Sequence, residues 1–206
     1  CEDELRQAVC RGVCQYVDLG AGLDTFGCRN PYGEEVLRVI EVDHGATQGW
    51  KRSRIEEEGI PIPETLIFIP IDFETETLSE GLQHAGFDRT KPTFFSWLGV
   101  TMYLTNRAVT ETLEFVASMP SGSGIVFDYM IPRSLMSPTG LRAFDALASR
   151  VALLGEPIQT FFAPSALKDS LLSMGYSRIE DIEPEEMNAR YFQGRTDGLR
   201  VGSLAH

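Results

Sequence analysis

Short runs of branched and aromatic residues recur along the chain, each followed by a segment with helical spacing, and this alternation restricts the fold more than any other feature. Residues 14–19 (CQYVDL), 36–42 (VLRVIEV), 66–73 (LIFIPIDF), 92–100 (PTFFSWLGV) and 124–131 (GIVFDYMI) read as strands. The near-continuous apolar character of LIFIPIDF suits a strand buried on both faces of a parallel sheet. Between the strands, DHGATQGWKRSRIEEEG reads as a helix ending at Gly59, with Pro61 beyond it. Thr77 and Glu80 make a capping box for a short helix with Leu78, Leu82 and Ala85 inward, stopped by Gly86. TNRAVTETLEFVASM carries Val109, Leu113 and Val116 on one stripe. Further helices are expected over 139–154 and over APSALKDSLLSMG, where Pro164 opens the first turn. YSRIEDIE (176–183) alternates like a strand, and the closing LRVGSLAH begins another. The expected fold is α/β: a doubly wound, mostly parallel, Rossmann-like sheet of about seven strands with helices on both faces, in one domain over 1–206. Residues 131–140 are the expected mobile loop.

Charge narrows the partners. Against 30 Asp and Glu stand 18 Lys and Arg, a net charge of -12. A nucleic-acid backbone or an anionic lipid surface needs a basic face, so neither is expected, and a small-molecule substrate is. No apolar run approaches the roughly 18–20 residues that span a bilayer. The opening CEDELRQAVC lacks the basic start and apolar core of a signal peptide. Cys1, Cys10, Cys14 and Cys28 form no CxxC pair. Cys10 and Cys14 are four apart, as on one helix face, but His44, His84 and His206 are scattered. No metal is expected, and the thiols suit a cytoplasmic setting.

The first strand runs into VDLGAGLDTF (17–26). In an open α/β sheet, ligands bind at the carboxyl ends of the strands where strand order reverses. Gly20 and Gly22, with Ala21 between them, let backbone approach a ligand unobstructed. The following helix is expected to offer free N–H groups. A dinucleotide site would use G-x-G-x-x-G, but the third position here is Thr25, and Asp18 and Asp24 flank the turn. Carboxylates beside a pyrophosphate repel it. They suit a phosphate-free cofactor with a positive centre, and S-adenosyl-L-methionine fits. The second strand ends with Glu41 and Asp43, either of which is spaced to accept from ribose hydroxyls. The third ends in Asp72-Phe73, an acceptor for an adenine amino group and a ring to lie against the base.

Several segments together resemble the leucine carboxyl methyltransferase-like family, in its bacterial branch of class I S-adenosylmethionine-dependent methyltransferases. They are VDLGAGLDTFGCR, VIEVDHGATQGWKR, IPIDFE, GFDRTKPTFFSWLGVTMYLT and NARYFQGRTDGLRVGSLAH. The resemblance runs from about residue 10 to the end. It implies that Gly20, Ala21 and Gly22 wrap the methionine part of the cofactor, that Asp43 holds the ribose, and that Asp72 and Phe73 contact the adenine. Two departures accompany it. Where many family members carry a Glu after the fourth strand, this chain has Leu98. The family's N-terminal helical segment, which helps cover cofactor and substrate, precedes the first residue here, and the chain stops within the last strand, so it reads as a piece of a longer one.

The implied activity is O-methylation of a carboxylate or hydroxyl on a small molecule. Two alternatives remain open at this point, a nicotinamide-dependent oxidoreductase and a cofactor-binding scaffold without turnover. Methyl transfer needs alignment above all, and a carboxylate acceptor needs no base. His44, Tyr103, Asp128 and Tyr129 lie near the expected mouth, with Trp50, Trp97 and Met102 as walls, and no catalytic base is assigned. SWLGVT lacks the Pro-Pro-aromatic turn of nucleic-acid amino methyltransferases.

Overall fold

The computed structural model describes residues 1–33, 35–83, 85–153 and 155–202. The chain divides into two compact units, one of residues 1–100 and 107–127, the other of 101–106 and 128–206. The first is the predicted parallel sheet. Strands β1 (Gln15–Leu19), β2 (Arg38–Asp43), β3 (Leu66–Pro70), β4 (Thr93–Trp97) and β5 (Gly124–Phe127) lie in the order β3-β2-β1-β4-β5, all paired parallel. Strand order therefore reverses beside β1, and the turn at 20–22 leaves the sheet at that point. All residues of β1 and β4 are buried, the mark of central strands covered on both faces.

The pleat sorts the core into two layers. On one face Tyr16, Val39 and Phe94 join Leu5 and Ala8 of α1 (Glu2–Cys10) and Phe26 of the one-turn helix α2 (Phe26–Arg29). On the other, Phe95 meets Phe115 of α5 (Asn106–Ala117) edge-on at 6.3 Å, and Phe87 at 6.5 Å. Helix α3 (Gly45–Glu57) follows β2, and α4 (Leu78–Gln83) starts at the predicted capping box, where the Thr77 and Glu80 N–H groups each meet the other's side chain at 3.3 Å. The second unit holds α6 (Pro138–Leu153), α7 (Pro164–Met174) and α8 (Pro184–Tyr191). No described helix is long and apolar enough to cross a membrane.

Among the described residues the sheet has five strands, where about seven were expected. Among the described residues YSRIEDIE forms no strand despite its alternation, which states only which side chains would share a face. Residues 199–202 form no strand, and 203–206 lie outside the described residues, as do position 154 of the expected 139–154 helix and His84. Cys10 closes α1 and Cys14 lies beyond it, so they do not share a helix face. The expected loop at 131–140 contains a 3-10 turn over Arg133–Leu135 and the start of α6.

Two glycines shape the end of β1. Gly20 has φ +68°, and a Cβ there would lie 2.3 Å from Cγ2 of Val100. Gly22 has φ +47°, but a Cβ there would meet nothing nearer than 3.9 Å. Gly20→Ala should therefore cost about 2–4 kcal/mol, from the left-handed backbone and the clash with a stiff branched side chain. Gly22→Ala should cost about 1–2 kcal/mol, from backbone alone. Urea unfolding of both variants checks this, and equal losses would show that the approach to Val100 adds no cost at Gly20.

Candidate functional site

At the carboxyl edge of the first unit, the turn after β1 is tied to the end of β2. The N–H groups of Gly20 and Ala21 donate to the Val42 carbonyl at 2.7 and 3.2 Å. The Gly22 N–H donates to Asp43 Oδ2 at 2.5 Å, and the His44 N–H to Oδ1 at 2.7 Å. Each Asp43 oxygen thus holds one backbone donor and keeps a further lone pair. The next edge follows closely, because the Ile71 N–H donates to the Asp43 carbonyl at 2.9 Å. Asp72 then closes its own turn, Oδ1 accepting from the Glu74 N–H at 3.0 Å, and the half-buried Phe73 lies 5.8 Å from the Trp97 ring. Asp43 thus sits at the end of β2 beside Gly20, Ala21 and Gly22, while Asp72 and Phe73 lie in the turn past the end of β3, where the sequence had placed them within the strand.

Behind this edge lies a buried polar row. Asp18 stands in register with Glu41 on one side and Ser96 on the other. Ser96 Oγ donates to Asp18 Oδ1 at 2.5 Å, and Ser96 also shares a 2.7 Å hydrogen bond with the Tyr16 hydroxyl. Burial pushes the Asp18 carboxyl up to about 6, against the Ser96 hydrogen bond, with the nearby carboxylate of Asp24 adding to the rise. Burial likewise pushes the Tyr16 hydroxyl up.

Glu41 is 1% exposed, and its Oε2 accepts from Lys51 Nζ of α3 at 2.5 Å. Its Oε1 has no partner among the described residues and faces Gly27, where a Cβ would come within 2.6 Å. Burial pushes Glu41 up to about 7 despite the ammonium beside it. The ribose choice left open between Glu41 and Asp43 thus has a structural bias. Glu41 points into the layer under α2 and α3, while Asp43 lies at the open edge.

The other candidates have local roles. His44 caps α3, its Nδ1 accepting from the Ala46 N–H at 3.3 Å. Asp24 accepts from the Phe26 N–H at 2.5 Å, so the one-turn α2 does not offer all the free N–H groups expected of it. Leu98 is 46% exposed just past β4. In the second unit the Tyr129 hydroxyl donates to Asp181 at 2.8 Å, and the Tyr103 carbonyl accepts from Gln159 at 2.6 Å.

Three residues escaped the reading of the sequence. Gly27 takes the close helix–strand contact usually made by the third glycine of a dinucleotide turn. Lys51 hid in the polar run WKRSR, although its spacing from Gln48 and Ile55, both buried, places it on the inward stripe. Ser96 lies inside the strand run PTFFSWLGV, and only its pairing beside Asp18 reveals a partner.

The sequence profile of the leucine carboxyl methyltransferase family matches residues 1–117. YktD of Bacillus subtilis, provisionally named an S-adenosyl-L-methionine-dependent methyltransferase, is 37% identical over 208 residues, covering all of this chain and 68% of its own length. A similarly named protein of Frankia alni is 34% identical over 118 residues, 57% of this chain and 41% of its own length. The chain spans less than half of that relative and about two thirds of the Bacillus one. In fold it is similar to magnesium protoporphyrin IX methyltransferase of Synechocystis, solved with bound SAH, with a TM-score of 0.53 and 13% identity over 87% of this chain and 73% of that one.

The Glu41–Lys51 pair carries a stability prediction. Glu41 has a raised carboxyl in the folded state, so its contribution is full below the unfolded value near 4.5 and is lost as pH rises through about 7. Lys51→Met removes the compensating ammonium and should cost about 3–5 kcal/mol at pH 8, with a smaller loss at pH 5.5, where Glu41 binds a proton. Chemical denaturation at the two pH values checks this. A pH-independent loss would mean that Lys51 acts through packing alone.

Proposed function

The chain belongs to the leucine carboxyl methyltransferase family, with S-adenosyl-L-methionine as cofactor, and on that premise we propose that it is an O-methyltransferase acting on a carboxylate or hydroxyl of a small molecule. The observation that carries the proposal is the Asp43 carboxylate, held by the Gly22 and His44 N–H groups beside a turn of bare backbone. The open space outside Gly22 leaves room for a ligand, and the surrounding acceptors suit sugar hydroxyls and a cationic centre. The same carboxylates oppose a pyrophosphate, which disfavours a nicotinamide dinucleotide.

In this proposal the Gly20-Ala21-Gly22 backbone lines the methionine end, with the Asp18 carboxylate facing its ammonium. Asp43 accepts from the ribose hydroxyls. Asp72 and Phe73 contact the adenine, Phe73 lying against the ring. Glu41 acts from behind, anchored by Lys51, as a support for the row and not as a direct ligand. When bound, the cofactor supplies a methyl group already activated by its sulfonium. The chain's own residues then have to hold the acceptor in line and exclude water. A carboxylate acceptor arrives ionised and needs no base, which suits an edge whose carboxylates are engaged in binding. The acidic charge supports a substrate other than a nucleic acid, and four free cysteines support a cytoplasmic setting.

Calorimetric titration with S-adenosyl-L-methionine and with NAD tests the proposal, followed by transfer of labelled methyl to a panel of small carboxylates and alcohols. Binding of the first ligand alone and labelled ester or ether are expected. Binding of NAD instead, or cofactor binding with no transfer to any acceptor, would overturn it. Asp43→Ala should weaken cofactor binding by about 1–3 kcal/mol, the usual cost of stranded polar groups, or roughly five- to 150-fold. Unchanged affinity would move the ribose partner elsewhere.

A further inference from the structure

The buried row holds a directional hydrogen-bond chain that the proposed reaction does not itself require. Tyr16 and Asp18 are two apart on β1 and share a face, and Ser96 stands beside Asp18 on β4. The Tyr16 hydroxyl meets Ser96 Oγ at 2.7 Å, and Ser96 Oγ donates to Asp18 Oδ1 at 2.5 Å. Ser96 has one hydroxyl proton and gives it to the carboxylate, so Tyr16 is the donor in the first bond. Tyr16 is 3% exposed, Ser96 1% and Asp18 8%, so water does not compete for these bonds. Asp18 Oδ2 accepts from no described residue. One oxygen is therefore fixed from behind, and the other is left free next to the glycine turn.

We infer that Tyr16 and Ser96 are positioning residues that orient Asp18 through Oδ1, so that Oδ2 is presented to the cationic amino-acid end of the cofactor. The inference rests on the proposed cofactor site and adds to it a specific support for one ligand. The relay also governs the charge of Asp18. Burial and the carboxylates of Asp24 and Asp43 favour its neutral form, while the Ser96 hydrogen bond and Lys51 favour the anion. Tyr16 and Glu41 complete the titratable groups facing it, and neither replaces the bond from Ser96. Without Ser96 the anion loses its donor, so the carboxylate holds its proton to higher pH and presents less negative charge to a cation.

The test is the dissociation constant of S-adenosyl-L-methionine between pH 5.5 and 8 for the wild type, Ser96→Ala, Ser96→Thr and Tyr16→Phe, with 5′-methylthioadenosine as control. The control keeps adenine and ribose but lacks the amino-acid end. Ser96→Ala should weaken the cofactor about five- to tenfold at pH 7, the worth of one ordinary hydrogen bond acting through Asp18, and move the acidic fall-off in affinity to higher pH. The control ligand should change less than about twofold, because it does not face Asp18. Ser96→Thr should restore both affinity and pH profile. Tyr16→Phe keeps the aromatic packing and should shift the profile the same way by less. Equal weakening of both ligands with an unmoved pH profile would overturn the inference, as would an unmoved profile in folded Tyr16→Phe. A wild type that binds the control but not the cofactor would overturn it too, while one that binds neither would overturn the cofactor site on which it rests.

Discussion

The hydrogen bond from the Gly22 N–H to the Asp43 carboxylate is the constraint around which the edge of the sheet is organised. It ties the turn after β1 to the end of β2, and the same carboxylate receives the N–H of His44 at the start of α3. Two connections that would otherwise move independently share one acceptor. The turn can be this tight only because Gly20 and Gly22 adopt positive φ and because Gly20 lies against Val100 with no Cβ between them. A charge-assisted bond at a partly buried site is among the stronger polar interactions a fold can use. Here it is made by a group that also has lone pairs left for a ligand.

Behind that clasp the sheet carries three polar side chains in register, Glu41, Asp18 and Ser96, where a stable core would carry aliphatic ones. Burial raises both carboxyls, to about 7 and about 6. Each is offset by one partner from outside its own strand, Lys51 for Glu41 and Ser96 for Asp18. Groups perturbed in this way cluster where a fold trades stability for function. The row faces the end of the sheet where strand order reverses, the place at which open α/β sheets bind ligands. The apolar layer of Tyr16, Val39 and Phe94 sits one pleat further from that edge, so the polarity is confined to the carboxyl end.

Much of this was legible from the residues. The positions of the five paired strands followed from branched and aromatic runs, although most extend less far than the runs that announced them. The capping box at Thr77 and Glu80 and the position of Asp43 at the end of β2 were readable for a physical reason. Caps, turns and strand ends depend on residues close in the chain. YSRIEDIE shows the reverse case, since an alternating pattern states only that a segment could pair, and pairing needs a neighbour.

By itself the sequence determined the strand–helix alternation, the parallel sheet, and a glycine turn flanked by acids instead of phosphate-binding groups. It left Glu41 and Asp43 equivalent, because side-chain parity along one strand is the same for both. The tertiary structure separated them. Helix α3 brings Lys51 over Glu41 and α2 brings Gly27 against its other oxygen, while Asp43 meets the Gly22 and His44 N–H groups at the edge. Tyr16, Ser96 and Asp18 became a chain in the same way, through the register of β1 against β4. Residues 78 positions apart carry no local signal of contact, and only the packed sheet sets one beside the other.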